Sequence, residues 1–199
     1  MYKVFKRILD IIISLIALLV LSPLLIIISV LLLITAGTPI LFTQERVGRN
    51  WKPFYIYKFR TMVKDAEDLG PQISVENDSR VTPVGRILRK YKLDELPQFI
   101  NVIKGEMSIV GPRPEVKKYA DAYKNDYSVI LKIKPGISDY ASIHYHNESS
   151  LLKLVPNAED QYKSLIMPQK IKLYHKYMDE MSFVTDLKII YATVKVLVK

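Results

Sequence analysis

Between Ile8 and Ile34 only Asp10, Ser14, Ser22 and Ser29 are polar. Roughly 20 apolar residues cross a bilayer core as a helix, so this run reads as a membrane segment. A secretory signal would have an apolar stretch of only ~7–15 residues and a small-residue cleavage site. Here the run is longer and ends Ile34-Thr35-Ala36-Gly37-Thr38-Pro39, without a clean A-x-A pattern. The segment is therefore expected to stay in the mature protein.

Two features argue against a straight span. Ser22-Pro23 sits in the middle of the run, and a proline removes a backbone hydrogen bond and clashes with the carbonyl four residues back. The Ser22 hydroxyl is placed to bond a freed carbonyl, which makes a kink tolerable in lipid. Positive charge also flanks both ends: Lys3, Lys6 and Arg7 before the run; Arg46, Arg49, Lys52, Lys58 and Arg60 after it. Basic flanks favour the cytoplasmic side, and a single span cannot put both there. A helix-break-helix that enters and leaves by one face can, and a kinked ordinary span is the alternative. Asp10 is expected to cap or pair with Arg7 at the interface, with an intramembrane functional role as the alternative.

The remaining composition narrows the chemistry. The 199 residues include 29 Lys+Arg against 20 Asp+Glu, a net charge of +9, and no cysteine. Disulfide frameworks, cysteine-based zinc or iron–sulfur sites and thiol nucleophiles are excluded. With 49% hydrophobic and 25% charged residues, the chain is not a disordered polyelectrolyte. The basic balance points to phosphate, nucleic acid or an acidic membrane surface. No P-loop, dinucleotide fingerprint or nucleophile-elbow motif occurs, so those mechanisms have no support. A nucleic-acid partner is not expected, because the charge alone would carry it.

The fold class expected is mixed α/β, mostly helical with a small sheet. A membrane segment over 1–36 precedes a catalytic domain over 37–199, which ends in an interfacial amphipathic helix. Strands are expected at Ile40 to Thr43 and Phe54 to Phe59. Helices are expected over Met62 to Leu69, Val84 to Tyr91, Asp94 to Ile103 and Glu115 to Tyr127, with another starting at Pro168. Gly70 to Ser79 reads as a polar loop, and Ile137 to His146 as extended. Phe183 to Val198, with Lys188, Lys195 and Lys199 interspersed, reads as the interfacial or core-packing tail.

Three constellations carry potential chemistry. Leu93-Asp94-Glu95-Leu96-Pro97-Gln98 follows Arg86, Arg89, Lys90 and Lys92. Asp94 suits a helix N-cap, with Glu95 and Pro97 in the first turn. Asp94 equally suits a carboxylate nucleophile toward phosphorus, beside a Glu95 able to hold Mg²⁺. Gly111-Pro112-Arg113-Pro114 fixes an arginine for bidentate phosphate contact. Lys58-Phe59-Arg60 would aim two cations from one strand face. His144-Tyr145-His146 lacks a third metal ligand at suitable spacing and reads as a loop rim.

In order along the chain, these pieces resemble the small monotopic phosphoglycosyl transferases of the bacterial sugar transferase family. The residues that carry the resemblance are Ser22-Pro23, Gln44-Glu45-Arg46-Val47-Gly48, Tyr57 to Met62, Thr82-Pro83-Val84-Gly85-Arg86, Leu93 to Gln98, Asn101 to Ser108, Val110 to Pro114, Pro135-Gly136-Ile137-Ser138 and Asp186-Leu187-Lys188-Ile189-Ile190. The resemblance implies transfer of a sugar 1-phosphate from a UDP-sugar to polyprenyl (undecaprenyl) phosphate, releasing UMP and starting a surface glycan. It implies a re-entrant helix broken at Ser22-Pro23, a monotopic location on the cytoplasmic face of the bacterial inner membrane, and contact with membrane lipids. It also implies Asp94 as nucleophile, Glu95 in metal or proton handling with Mg²⁺ held by Asp94 and Glu95, and Asp186 as a further site acid. Lys58, Arg60, Arg86 and Arg113 would bind the substrates' phosphates. Many relatives carry a Trp-containing stretch after the Pro-Gly turn; here Ser138 to His146 replaces it, and the sugar stays open. The sequence resembles the minimal catalytic form, without the extra transmembrane helices of longer members; a homodimer is one option for its assembly. The rival readings are a Mg²⁺-dependent ternary-complex transferase or phosphatase, and a non-catalytic scaffold on anionic lipid.

Overall fold

The computed structural model describes residues 2–70, 73–75, 77–153 and 158–197. Pro71, Gln72 and Glu76 of the expected polar loop, and Val198 and Lys199 of the expected tail, lie outside the described residues.

Helix α1 runs from Tyr2 to Ala36, about 50 Å at 1.5 Å per residue if straight. Pro23 lies inside it without ending it. Proline has no N–H for the Leu19 carbonyl, and the Ser22 hydroxyl donates to that oxygen at 2.8 Å, so the freed acceptor is satisfied within the helix. The break expected at Ser22-Pro23 is thus not a departure from helical backbone. Along α1 only Asp10, Ser14, Ile28 and Leu32 are buried; the apolar remainder is half-buried or exposed.

Two halves of α1 dock differently on the same body. In the first half, Asp10 accepts from Ser108 Oγ at 2.7 Å and the Ile109 N–H at 3.2 Å. Arg7 donates to the Val102 and Ile103 carbonyls at 2.6 and 3.0 Å, near the C-terminus of α3 (Gln98–Lys104), where a cation meets the negative end of the helix dipole. The expected Asp10–Arg7 pairing is thus corrected: each residue takes a separate partner in the soluble body. In the second half, Ile28 and Leu32 pack with Leu24 and Leu25 against Phe59, Leu88 and Leu93.

Strands β1 (Leu41–Val47) and β2 (Pro53–Phe59) form an antiparallel hairpin, Leu41 facing Phe59 and Val47 facing Pro53. Alternation places Phe54, Ile56 and Lys58 on one face of β2, and the first two are core residues. Asn101 of α3, fully buried, accepts from the Tyr57 N–H at 3.0 Å and donates to the Tyr55 carbonyl at 2.7 Å. That side chain fastens α3 to the backbone of β2.

Helix α2 (Pro83–Lys90) begins with Thr82 accepting from the Gly85 N–H at 3.0 Å and with Pro83 in its first turn, a proline-led start with a hydroxyl cap. Lys92 is left-handed (φ 54°), and Leu93–Glu95 forms a single 3₁₀ turn before α3. Strands β3 (Ser108–Val110) and β4 (Gly136–Ser138) pair in parallel. At their edge Gly111 and Gly136 touch so closely that a Cβ on Gly136 would lie 2.1 Å from the Gly111 nitrogen. Helices α4 (Lys117–Ala122), α5 (Lys124–Ile130), α6 (Tyr140–His144), α7 (Glu148–Lys153), α8 (Ala158–Gln161), α9 (Met167–Glu180) and α10 (Phe183–Leu197) complete the body. A core of Tyr119, Tyr127, Tyr162, Met167 and Tyr174 joins α4, α5 and α9, and Val102, Met107, Tyr177 and Ile189 form another beneath β2 and α10.

Four local expectations need correction. Residues 62–69 form no helix: Met62 bridges Val81 and 64–69 are turns, their acids leaving no apolar stripe to bury. The helix expected from Glu115 starts at Lys117 and is divided at Tyr123 (φ −124°, ψ 44°). Residues 137–146 are extended only to Ser138, because Asp139 accepts from the Ala141 and Ser142 N–H groups and caps α6. The two histidines thus share no strand face, and among the described residues no three His, Asp or Glu side chains gather as a metal cluster.

The Gly85 contact gives a direct test of how α2 is seated. A Cβ there would lie 2.0 Å from the Thr61 carbonyl oxygen. Gly85→Ala must lift α2 off the hairpin, with an expected loss of about 1–3 kcal/mol. The loss should be read as a lower unfolding midpoint in detergent, whereas Gly37→Ala meets open space and should be penalised only for its left-handed backbone.

Candidate active site

The turn that carries Asp94 and Glu95 is held from both sides: by Leu93 in the apolar contact with α1, and by α3, itself fastened to β2 through Asn101. This presents Glu95 to Lys58, whose Nζ donates to Glu95 Oε1 at 2.7 Å. From the other side Arg113 reaches the same carboxylate with both terminal nitrogens, at 2.5 Å to Oε1 and 3.3 Å to Oε2. The Gly111–Pro114 loop that carries Arg113 is set by the close Gly111–Gly136 approach. Four of the residues singled out in the sequence, Lys58, Asp94, Glu95 and Arg113, therefore form one cluster.

Within it the adjacent carboxylates have opposite environments. Burial alone would raise Glu95, but the charges of Arg113 and Lys58 outweigh it and hold the carboxyl well below its ordinary value. Arg113 is raised well above its own, chiefly by Glu95. Asp94 is raised, first by burial and then by the Glu95 charge, with Lys58, Lys92 and Arg89 opposing. Its Oδ1 is buried with no hydrogen-bond partner among the described residues. The N-cap expectation is corrected here, since α3 begins at Gln98 after Pro97 and neither Asp94 nor Glu95 caps it.

Arg60, Arg86 and Asp186 stand apart from the cluster. Strand β2 ends at Phe59, so the alternation that would align Arg60 with Lys58 stops one residue short; Arg60 turns to the last carbonyls of α1, those of Ala36 and Gly37. Arg86 is exposed on α2. Asp186 accepts from Tyr2 at 2.6 Å, Lys6 at 2.5 Å and Tyr177 at 2.8 Å, tying the start of α1 to α9 and α10. Arg89, named in the sequence among the basic residues before the acid pair but given no role, donates to Thr61 Oγ1 at 2.8 Å and Ser74 Oγ at 2.7 Å near Asp94. Sequence reasoning missed one further cation, Lys170, buried with Glu148 at 2.5 Å. A lysine directly before Ile171, on the stripe with Met167 and Tyr174, was the available signal.

Asp94 Oδ1, a hard buried oxygen without a hydrogen-bond partner among the described residues, fits one ligand position of Mg²⁺, which is usually held by one or two carboxylates together with water and substrate phosphates. The carboxylate of Glu95 is engaged by Lys58 and Arg113, so it fits as a second ligand once those cations take another anion.

The two carboxylates predict opposite stability effects in metal-free protein. An acid raised by folding costs stability above its unfolded value near 3.9, a cost absent below it. Asp94→Asn should therefore stabilise at neutral pH by about 1–2 kcal/mol, with the gain fading on acidification. Glu95→Gln should destabilise by about 1–3 kcal/mol, because it leaves the half-buried Lys58 and Arg113 without their charged partner. The wild-type contribution of Glu95 is fully present above ~4.3 and is lost only as pH falls through its depressed folded value. Thermal melts across pH with a chelator present measure both.

The bacterial sugar transferase family model matches residues 1–199. The chain is 41% identical over 138 residues to the UDP-N-acetylgalactosamine-undecaprenyl-phosphate N-acetylgalactosaminephosphotransferase of Aeromonas hydrophila, covering 68% of this chain and 33% of that protein. It is 43% identical over 136 residues to the UDP-glucose:undecaprenyl-phosphate glucose-1-phosphate transferase of Klebsiella pneumoniae, covering 67% and 29%. Over 111 residues it is 49% identical to the exopolysaccharide production protein PSS of Rhizobium leguminosarum bv. phaseoli, covering 55% and 56%. The match thus spans about a third of the length of the first two relatives and just over half of the third. With its whole length matched by the family model, the chain belongs to the bacterial sugar transferase family.

Proposed function

We propose that this chain transfers a sugar 1-phosphate from a UDP-sugar to polyprenyl phosphate in two steps through Asp94. The observation that carries the reading is the asymmetry of the two carboxylates: Glu95 is locked between Lys58 and Arg113, while Asp94 Oδ1 has no hydrogen-bond partner among the described residues. One acid is charge-balanced and the other is free to act.

In the first step an Asp94 carboxylate oxygen attacks the β-phosphorus of the donor. The bond from that phosphorus to the bridging oxygen breaks, and UMP leaves with the electron pair. In the second, a phosphate oxygen of the polyprenyl acceptor attacks the same phosphorus. The bond to Asp94 breaks, the carboxylate returns, and the product is a polyprenyl-diphosphate sugar. Lys58 and Arg113 exchange part of their hold on Glu95 for the incoming phosphates, neutralising charge where it develops, and the released Glu95 is available for metal or proton handling. Mg²⁺, held by Asp94 and Glu95 when bound, would supply charge neutralisation on the diphosphate. The relatives' names specify different sugars, N-acetylgalactosamine and glucose; the donor is assigned here as a UDP-sugar only.

The membrane reading divides the chain near residue 36 and places the body on the cytoplasmic leaflet. It is supported by both ends of α1 docking on the same body: Arg7 and Asp10 at one end, Leu32 and Ala36 at the other. A spanning helix separates its ends by the ~30 Å hydrocarbon core. A helix that enters and leaves by one face, bending at Ser22-Pro23, keeps both ends with the body and both basic flanks in the cytoplasm.

Two experiments test these readings. A donor labelled in the sugar, given without acceptor, should release UMP in one burst equal to the enzyme present and leave label on Asp94; Asp94→Asn should abolish the burst. Label on Asp94→Asn, or full turnover with no labelled intermediate, would favour a ternary complex. For topology, single cysteines at Lys3 and Lys52 in this cysteine-free chain should react with an impermeant reagent from the same side of the membrane. Opposite-side labelling would overturn the re-entrant arrangement.

A further inference from the structure

Away from the Asp94–Glu95 cluster, a cavity of about 230 Å³ lies where the start of α1 meets the soluble body. Its lining includes six cations, Lys3, Lys6, Arg7, Arg49, Lys132 and Lys134, and a single carboxylate, Asp10. That carboxylate is already engaged by Ser108 and the Ile109 N–H, and Lys6 is taken by Asp186. Lys3, Arg49, Lys132 and Lys134 have no ion-pair partner among the described residues. The cations are also crowded: Arg7 and Lys134 come within 3.2 and 3.5 Å of the point where a Cβ on Gly105 would sit. Burial and the Arg7 and Arg49 charges push Lys134 below its ordinary value, with Asp10 opposing only in part. Like charges so arranged are stabilised by an anion placed among them.

The surroundings identify the kind of anion. Lys3, Lys6 and Arg7 alternate along α1 with Val4, Phe5 and Ile8, which are exposed. Phe5 meets Phe183 of α10 edge-on at 5.8 Å, and α10 continues that surface with exposed Val184, Leu187, Tyr191 and Val194. The cavity therefore lies beside an exposed apolar surface built from two helices. Its lining also includes apolar Val110, Ile133 and Met181. The volume falls below the roughly 300–1,000 Å³ of pockets that enclose a whole drug-sized ligand, so a headgroup fits with its tails outside.

We infer that this cavity is a binding site for the phosphate headgroup of an anionic phospholipid, seated between the start of α1 and the Arg49 and Lys132–Lys134 loops, with its acyl chains along Phe5 and α10. The inference rests on the membrane location proposed above. It assigns these cations to a resident lipid, separate from the two reacting substrates, that fixes the roll of the body on the bilayer.

The test uses the full chain and vesicles of phosphatidylcholine with and without phosphatidylglycerol. The wild type should partition more strongly onto the anionic vesicles. Arg49→Ala with Lys134→Ala should lose about fivefold of that preference per cation removed. The equal-charge control Lys124→Ala with Lys172→Ala, exposed and outside the cavity, should keep it. Lys3→Ala with Lys132→Ala supplies a second cavity variant should the first melt early. Equal losses in the control and cavity variants would reduce the effect to net charge and overturn the site. Displacement by inorganic phosphate as effective as by lipid would reassign it to a soluble anion. A raised acceptor KM for the cavity variants in neutral detergent would reassign it to the polyprenyl phosphate. Partition onto both vesicle types without preference overturns the lipid site alone; failure to partition onto either overturns the membrane reading, and the lipid site with it.

Discussion

A carboxylate held between two cations away from water is costly to assemble, and Glu95 with Lys58 and Arg113 is such a group. Removing charges from water costs several kcal/mol per ion, repaid only when geometry and hydrogen bonding are good. Each partner here comes from a different element: β2 for Lys58, the 3₁₀ turn for Glu95, and the glycine–proline loop for Arg113. The scaffold exists to bring those three backbones together, through Asn101 on one side and the Gly111–Gly136 contact on the other. Asp94 occupies the next position on the same turn and feels those cations only at a distance, too weakly to offset its burial and the Glu95 charge. An acid whose neighbour has already claimed the nearby cations stays available without being neutralised by a direct partner.

The same elements are tied to α1, so in the proposed membrane arrangement the depth of the cluster relative to the bilayer would be fixed by the fold. Arg7 takes carbonyls of α3, Asp10 takes β3, and Arg60, next but one to Lys58 in sequence, takes the end of α1. The buried polar residues of α1 lie in its first half and the buried apolar ones in its second. The helix is thus fixed at the start by direction-dependent bonds and later by packing. Little within the described residues covers its outward apolar surface, which is what the proposed membrane location requires.

Much of this was legible in the residues. The apolar run, the hairpin, α2, the proline start of α9 and the acid pair followed from local patterns, and Ser22 does return a hydrogen bond to the carbonyl that Pro23 frees. What escaped depended on where elements stop and on partners far along the chain. Alternation put Arg60 with Lys58, but alternation cannot say that the strand ends at Phe59. Asp94 had the composition of a cap, yet Pro97 delays α3 to Gln98. Asp139 gave no warning that it would turn an extended-looking segment into a helix. Asp186 has the look of a site acid, but its partners Tyr2 and Lys6 lie about 180 residues away, and no local pattern encodes that separation.

The division of positive charge bears on why a transfer of this kind is split in two. A UDP-sugar and a polyprenyl phosphate both bring anionic phosphates, and binding them side by side would set charge against charge in a site of limited volume. In the proposed mechanism a covalent intermediate on Asp94 would let UMP leave before the lipid phosphate arrives, so that one pair of cations, Lys58 and Arg113, would serve each substrate in turn. Between visits those cations need an anion, and Glu95 supplies it from within the fold. On this argument Glu95 is the resident stand-in for substrate phosphate, which accounts for its lowered pKa beside an aspartate raised above the ordinary value.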